Sequence, residues 1–258
     1  MDFELSRQLV NRLDYVESTG STNTDLIAAG SQRPDLSVLV AGFQTAGRGR
    51  SGREWLAPDG SSLFVSVLLR PQTKLHPDAY GWLPLMAGLA MARAVSRFIP
   101  VDLVSVKWPN DILVSEQKIS GVLSELLPDL SGVVIGAGLN IRQGRGELPI
   151  ETATSMAIEG ATDLSHDEIL AAYLGELRSL YSAFVAAAGD AVKSGLHAAV
   201  TDRCGSIGRR VRVIMPAEAE LYGKAVAIDA TGRIVIEAEP DASRTSVSAG
   251  DIIHLRHN

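Results

Sequence analysis

The sequence predicts an α+β chain in two parts: a large domain of strands and helices over residues 1–205, and a small all-β module over residues 206–258. Three observations predict it. Apolar runs of strand length stand beside segments whose apolar residues recur at helical spacing. After Gly205 the composition changes to short alternating runs separated by turns. The chain has 258 residues and is 46% hydrophobic, enough for a substantial core.

In order, residues 3–13 read as a short helix and 15–17 as a short strand. Ser21-Thr22-Asn23 precedes a segment with an acidic first turn that stops at Gly30, the start and stop signals of a helix. Residues 36–43 and 61–69 are apolar strands. Residues 77–98 turn helical, with Leu85, Leu89, Ala92 and Val95 near helical spacing, and Pro100 ends the run. Residues 104–106, 112–114, 119–127 and 133–139 read as strands, with Ser115-Glu116-Gln117-Lys118 a tight connection. Ser165-His166-Asp167-Glu168 fits a capping box that opens a helix to about residue 188. A further helix is expected over 190–204. Beyond the boundary, residues 211–214, 222–228, 234–236 and 252–255 are the predicted strands of the module.

Composition excludes several functions. A net charge of −6 disfavours a general nucleic-acid binder. Cys204 is the only cysteine, so no intrachain disulfide and no cysteine-based metal cluster can form. His76, His166, His197, His254 and His257 are scattered, without the close pairing of a zinc site. No segment approaches the ~20 apolar residues of a membrane span. The expectation is a cytoplasmic protein without a membrane partner.

Against this acidic background, Gly47-Arg48-Gly49-Arg50-Ser51-Gly52-Arg53-Glu54-Trp55 concentrates positive charge. Glycine admits close backbone approach and positive φ. Arginine supplies planar forks matched to carboxylate and phosphate. The segment reads as a loop closing over a small anion. It matches the letter of the dinucleotide fingerprint, but no helix follows it, as that fingerprint needs. It is also too short to be an RNA-binding arginine-glycine tract.

Lys107-Trp108-Pro109-Asn110-Asp111 reads equally as a stiff strand-to-strand turn or as a lysine held toward an anion. Ser21-Thr22-Asn23 serves as a helix N-cap or as a ligand contact at a helix start. Gly136-Ala137-Gly138-Leu139-Asn140 is a strand with close backbone approach.

Taken in order, these segments, with Gln44 and Lys118-Ile119-Ser120-Gly121-Val122-Leu123-Ser124-Glu125, resemble the biotin protein ligase family over roughly residues 15–141. The resemblance implies a mixed sheet packed by helices, related to class II aminoacyl-tRNA synthetases and lipoate ligases, with a C-terminal barrel like an SH3 domain. It implies ATP-dependent activation of biotin as biotinyl-5′-AMP, then transfer to a lysine of a biotin carboxyl carrier protein domain. ATP with Mg2+ is the implied cofactor, and no metal ligand is assigned.

By the same resemblance, Lys107, Arg48 and Arg50 are the catalytic cations. Ser21, Thr22, Asn23, Gln44, Gly47, Arg48, Gly49, Arg50, Lys107, Gly121 and Gly138 bind biotin. Arg50, Arg53, Trp55, Lys107, Asn110 and Asn140 bind ATP, with Trp55 packing on or near adenine. The loop is expected to be mobile without ligand and ordered with it, sealing an acyl-adenylate from water. About 20 residues precede Ser21, too few for a winged helix, so no specific DNA binding is expected. A monomer or weak homodimer is expected. A lipoate or octanoate ligase and a non-catalytic biotin sensor are the competing readings.

Overall fold

A computed structural model describes residues 1–72, 75–215, 219–239, 241–248 and 250–255. His257 lies outside them. The large sheet is built from β1 (Arg12–Thr19), β2 (Ser37–Gln44), β3 (Ser62–Leu69), β4 (Val104–Lys107), β5 (Asp111–Val114), β6 (Gln117–Leu126) and β7 (Val133–Asn140). Its order is β1-β2-β3-β7-β6-β5-β4. β1 runs parallel to β2, and the remaining pairs are antiparallel, so the sheet is mixed.

Period-2 alternation divides the strands between two faces. On one face Val65, Val122, Ala137 and Leu139 join the main core beneath α3 (Trp82–Val95) and α4 (His166–Ala186). On the other, α2 (Thr22–Ala29) covers a smaller cluster of Leu26, Leu39, Leu68, Leu127 and Val134. Beyond the end of α2 this second face carries Gly121, Gly136 and Gly138 in place of side chains. Gly121 pairs Gly138 across the ladder, and Leu123 pairs Gly136. A hollow therefore forms where the sheet has no side chains to fill it.

Several predicted elements differ in extent. The helix expected over 3–13 is one turn, α1 (Glu4–Arg7), because residues from Arg12 onward pair with β2. The Asp167 carboxylate accepts from the Leu5 and Ser6 N–H groups at 2.9 and 3.0 Å, so the start of α4 caps α1. Ser165 Oγ accepts from the Glu168 N–H at 3.4 Å, which is one half of the expected capping box; the return bond to the Glu168 side chain is not among those of the described residues. The helix expected from residue 77 opens as a 3-10 turn, Pro77–Gly81. The one expected over 190–204 is only α5 (Leu196–Arg203), since Gly195 breaks the preceding turn at φ 78°. Ser115 and Glu116, both at positive φ, make the tight β5–β6 turn.

A second sheet holds β8 (Arg210–Ile214), β9 (Glu220–Ile228), β10 (Ile234–Ala238), β11 (Arg244–Val247) and β12 (Asp251–His254), in the order β11-β10-β9-β8-β12. β11 has no counterpart in the predicted strands. Its Arg-Thr-Ser-Val sequence lies at the sheet edge with three exposed residues, so it carries no apolar alternation. Indole donors tie α3 and the turn after β4 to this sheet's β9–β10 connection: Trp82 Nε1 donates to the Ala230 carbonyl and Trp108 Nε1 to the Gly232 carbonyl, both at 2.9 Å. No described helix is long and apolar enough to cross a membrane.

Candidate active site

The hollow opens into a cavity of about 540 Å³, within the range of small-molecule sites. Every site residue expected from the sequence lines it except Gly47. Gly47 acts from behind, where a Cβ would run into the Trp55 carbonyl and stand 2.9 Å from Gln44 Nε2.

The inner end is polar and closely held. Ser21 occupies the N-cap position of α2 but makes no capping bond with its side chain. Gln44 Oε1 instead accepts from the Thr22 N–H at 2.8 Å and from Thr22 Oγ1 at 3.1 Å. Ser66 Oγ lies 2.8 Å from Thr22 Oγ1 and 2.6 Å from Asn23 Oδ1. Asn23 Nδ2 donates to Glu125 Oε2 at 2.8 Å. A Cβ on Gly136 would strike Asn23 Oδ1, so glycine lets this amide lie flat on the sheet.

The outer end is cationic. Arg48, Arg50, Arg53, Lys107 and Lys118 face it, against the carboxylates of Glu54, Asp111 and Asp251. Five cations and three carboxylates line it, with Glu125 a fourth carboxylate beside Arg48, in a chain of net charge −6. Arg48 is paired with Glu125 at 2.8 Å, Arg53 with Asp251 at 2.7 Å and Lys118 with Asp111 at 2.6 Å. Arg50 donates to Asn110 Oδ1 at 3.0 Å and to the Gly250 carbonyl at 3.3 Å, with no carboxylate partner among the described residues. The Lys107 ammonium has neither an ion pair nor a hydrogen bond among them, while its carbonyl accepts from the Asn110 N–H at 3.2 Å. Burial holds its amine below the usual lysine range, opposed by nearby Asp111 and reinforced by Lys118. A half-buried ammonium without a counterion favours any anion that can reach it.

The arginine-glycine loop bends back over the cavity. Arg48 bridges Glu54, and a tight turn at Arg50–Gly52 uses positive φ at Ser51 and Gly52. This brings the Trp55 ring onto the glycine floor. A Cβ on Gly138 would lie 2.5 Å from Trp55 Cε2, and one on Gly121 3.0 Å from Cζ3. Lys118 Nζ stands 5.4 Å from the ring centroid. Trp55 Nε1 is buried without a partner. The Trp55 expected at adenine therefore touches the two glycines expected at biotin. The Asn140 amide, expected at the nucleotide, is engaged at both ends. It donates to the Thr154 carbonyl at 2.9 Å and accepts from Gln143 at 3.1 Å, which makes it part of the wall.

Lys118 and Asp251 join the site without having been singled out. Lys118 lies in a stretch already conspicuous in the sequence, on the same face as Gly121 and Leu123. Asp251 comes from β12, and nothing in its local sequence ties it to a loop 198 residues away. Among the described residues no three His, Cys, Asp or Glu side chains are grouped to hold a metal.

Residues 15–140 match the model of the biotin/lipoate A/B protein ligase family, and residues 206–255 match the biotin protein ligase C-terminal domain. The biotin–[acetyl-CoA-carboxylase] ligase of Mycobacterium tuberculosis is 38% identical over 250 residues, covering 95% of this chain and 90% of that one. The bifunctional ligase/repressor BirA of Escherichia coli is 29% identical, over 91% of this chain and 73% of that protein. The solved biotin protein ligase from Aquifex aeolicus in complex with biotin and ATP superposes with a TM-score of 0.78 at 28% identity, covering 96% of this chain and all of that one. The chain belongs to the biotin protein ligase family.

Proposed function

We propose that this protein activates biotin with ATP and transfers it to a lysine of a biotin carboxyl carrier domain. The observation that carries the reading is Lys107: a half-buried ammonium, without a counterion among the described residues, at the junction of a polar inner pocket and a cationic mouth. Both substrates are anions, and the first bond forms between a carboxylate oxygen and the α-phosphorus. Fixed cations at that point offset the repulsion and stabilise the charge that develops in transfer.

Biotin lies with its ureido ring among Ser21, Thr22, Asn23 and Gln44, whose positions are fixed before ligand arrives. Its chain runs over Gly121 and Gly138 beneath Trp55. Its carboxylate meets Lys107 and Arg50, with Arg48, Gly47 and Gly49 forming the cover. ATP occupies the mouth beside Arg53, Asn110 and the outer edge of Trp55. Asn140 supports the wall rather than the nucleotide, because its amide is already committed. Magnesium, when bound, would be held by the nucleotide's phosphates and water and would offset their charge. Attack releases pyrophosphate. The carrier amine then attacks the mixed anhydride, losing its proton as AMP leaves. Residues 1–205 supply the chemistry, and residues 206–258 brace the loop and the Lys107 turn.

Titration calorimetry with biotin or lipoate, with and without a non-hydrolysable ATP analogue, tests this reading together with ligand-dependent pyrophosphate release. Biotin should bind, bind more tightly with the analogue, and alone support release. Preference for lipoate would sink the assignment. Binding of biotin without any release would leave a sensor.

A further inference from the structure

β4 is an edge strand of the large sheet, and Lys107 ends it. An edge leaves backbone groups that need partners. Here the segment entering the second sheet supplies them. Val106 forms a parallel bridge with Cys204, and its carbonyl accepts from the Gly205 N–H at 2.9 Å. The next outward group, the Trp108 N–H, donates to Ser206 Oγ at 3.2 Å. Ser206 is fully buried, and its Oγ lies 3.0 Å from His254 Nε2, on the last residue of β12. His254 Nδ1 lies 3.9 Å from Glu116 Oε2 on the β5–β6 turn, and Glu116 is held by both Nη atoms of Arg209 at 2.5 and 2.6 Å. Three separate segments thus converge on one backbone N–H beside Lys107.

We propose that Ser206 and His254 are positioning residues for Lys107, acting through a relay from the Trp108 N–H to Ser206 Oγ to His254 Nε2. The Ser206 hydroxyl accepts from the Trp108 amide and gives its own proton to Nε2. That fixes His254 as the Nδ1–H tautomer, with Nδ1–H turned toward Glu116. The imidazole is kept uncharged by burial and by the neighbouring Lys107 and Arg209 charges, opposed by Glu116. A neutral acceptor there orders the turn without adding a further positive charge beside Lys107. The Trp108 Nε1 bond to the Gly232 carbonyl completes the mounting of the turn.

This inference rests on the adenylation reading, and its test separates the two. Biotin-dependent pyrophosphate release is measured for the full chain and for Ser206→Ala, His254→Leu, the double variant and His254→Gln, which keeps an acceptor at the reach of Nε2. A displaced lysine lowers the rate of the step it serves more than the binding it shares with four other cations. Each single removal is expected to lower kcat by about 10- to 100-fold, with KM for biotin within about threefold. The double variant should lose no more than the worse single, and His254→Gln should recover most of the loss.

Long-range proton–nitrogen NMR of the unliganded protein should show His254 protonated on Nδ1 and not on Nε2. That readout needs no activity and stands if any variant fails to fold. Unchanged kcat in both single variants, kcat and KM moving together, or an Nε2–H tautomer would each overturn the relay. An unsubstituted protein that releases no pyrophosphate with biotin would overturn the adenylation reading instead.

Discussion

A methyl group added to Gly138 would stand 2.5 Å from Cε2 and 2.7 Å from Nε1 of Trp55, distances no real contact tolerates. The Gly138→Ala variant must therefore push the indole off the floor it covers. Overpacking of this kind costs about 1–3 kcal/mol. Calorimetry on that variant should find biotin affinity reduced at least tenfold, with the large sheet still folded by circular dichroism. Lys107 predicts the opposite balance. Its buried charge opposes folding of the unliganded protein, so Lys107→Met should leave stability equal or higher in urea titration. The same change should lower adenylate formation by about 10²–10³-fold, the scale of losing one preorganised charge at a developing anion. If stability and activity fell together, Lys107 would be holding the fold rather than serving the reaction.

At the scale of the element, the arginine-glycine loop is held by contacts that surface exposure keeps weak. The Arg53–Asp251 pair is about half exposed, with side-chain accessibilities of 56% and 41%, so its attraction is well screened. The shape of the loop depends instead on backbone conformation. Gly52 sits at φ 73° with nothing within 4 Å of a Cβ position, so Gly52→Ala would meet no clash and only left-handed strain. That strain costs about 1 kcal/mol, roughly fivefold in a closure equilibrium. Biotin affinity of Gly52→Ala should fall by about that factor while the melting temperature stays unchanged. A loss of fold stability would mean that the loop belongs to the core.

Across the whole molecule, the two sheets meet at groups whose charge depends on pH. The His254 imidazole is pushed down from 6.5 to about 4, first by burial and then by the Lys107 and Arg209 charges. Between those values the unfolded chain binds a proton that the folded chain refuses. Stability therefore rises with pH across that window, and is lost as pH falls from about 6.5 to about 4. At 1.36 kcal/mol per unit the loss is at most about 3 kcal/mol. Urea titrations at pH 7 and pH 4.5 should show His254→Gln losing less stability over that interval than the unsubstituted chain. Equal losses would mean that other groups carry the acid sensitivity.

The elements most legible in the sequence were those whose signal is local: β2, β3 and β7 as apolar runs, α4 from its cap and period, and the Ser115-Glu116 connection. The arginine-glycine loop was equally plain, because charge and glycine concentrate within a few residues, whereas the Lys107 turn by itself read equally as a plain connection. The one-turn α1 and the polar strand β11 were not, since pairing partners far along the chain decide both. By itself the sequence marked residues that, Gly47 apart, line one cavity, because local motifs and their order along the chain carried the family resemblance. Only the tertiary structure decided what each does with that capacity. It tied up the Asn140 amide, set Trp55 on a glycine floor, and left the Lys107 ammonium without a partner among the described residues. It also brought Asp251 and His254 from the far end of the chain to the site, since burial and partnership depend on neighbours that sequence distance does not reveal.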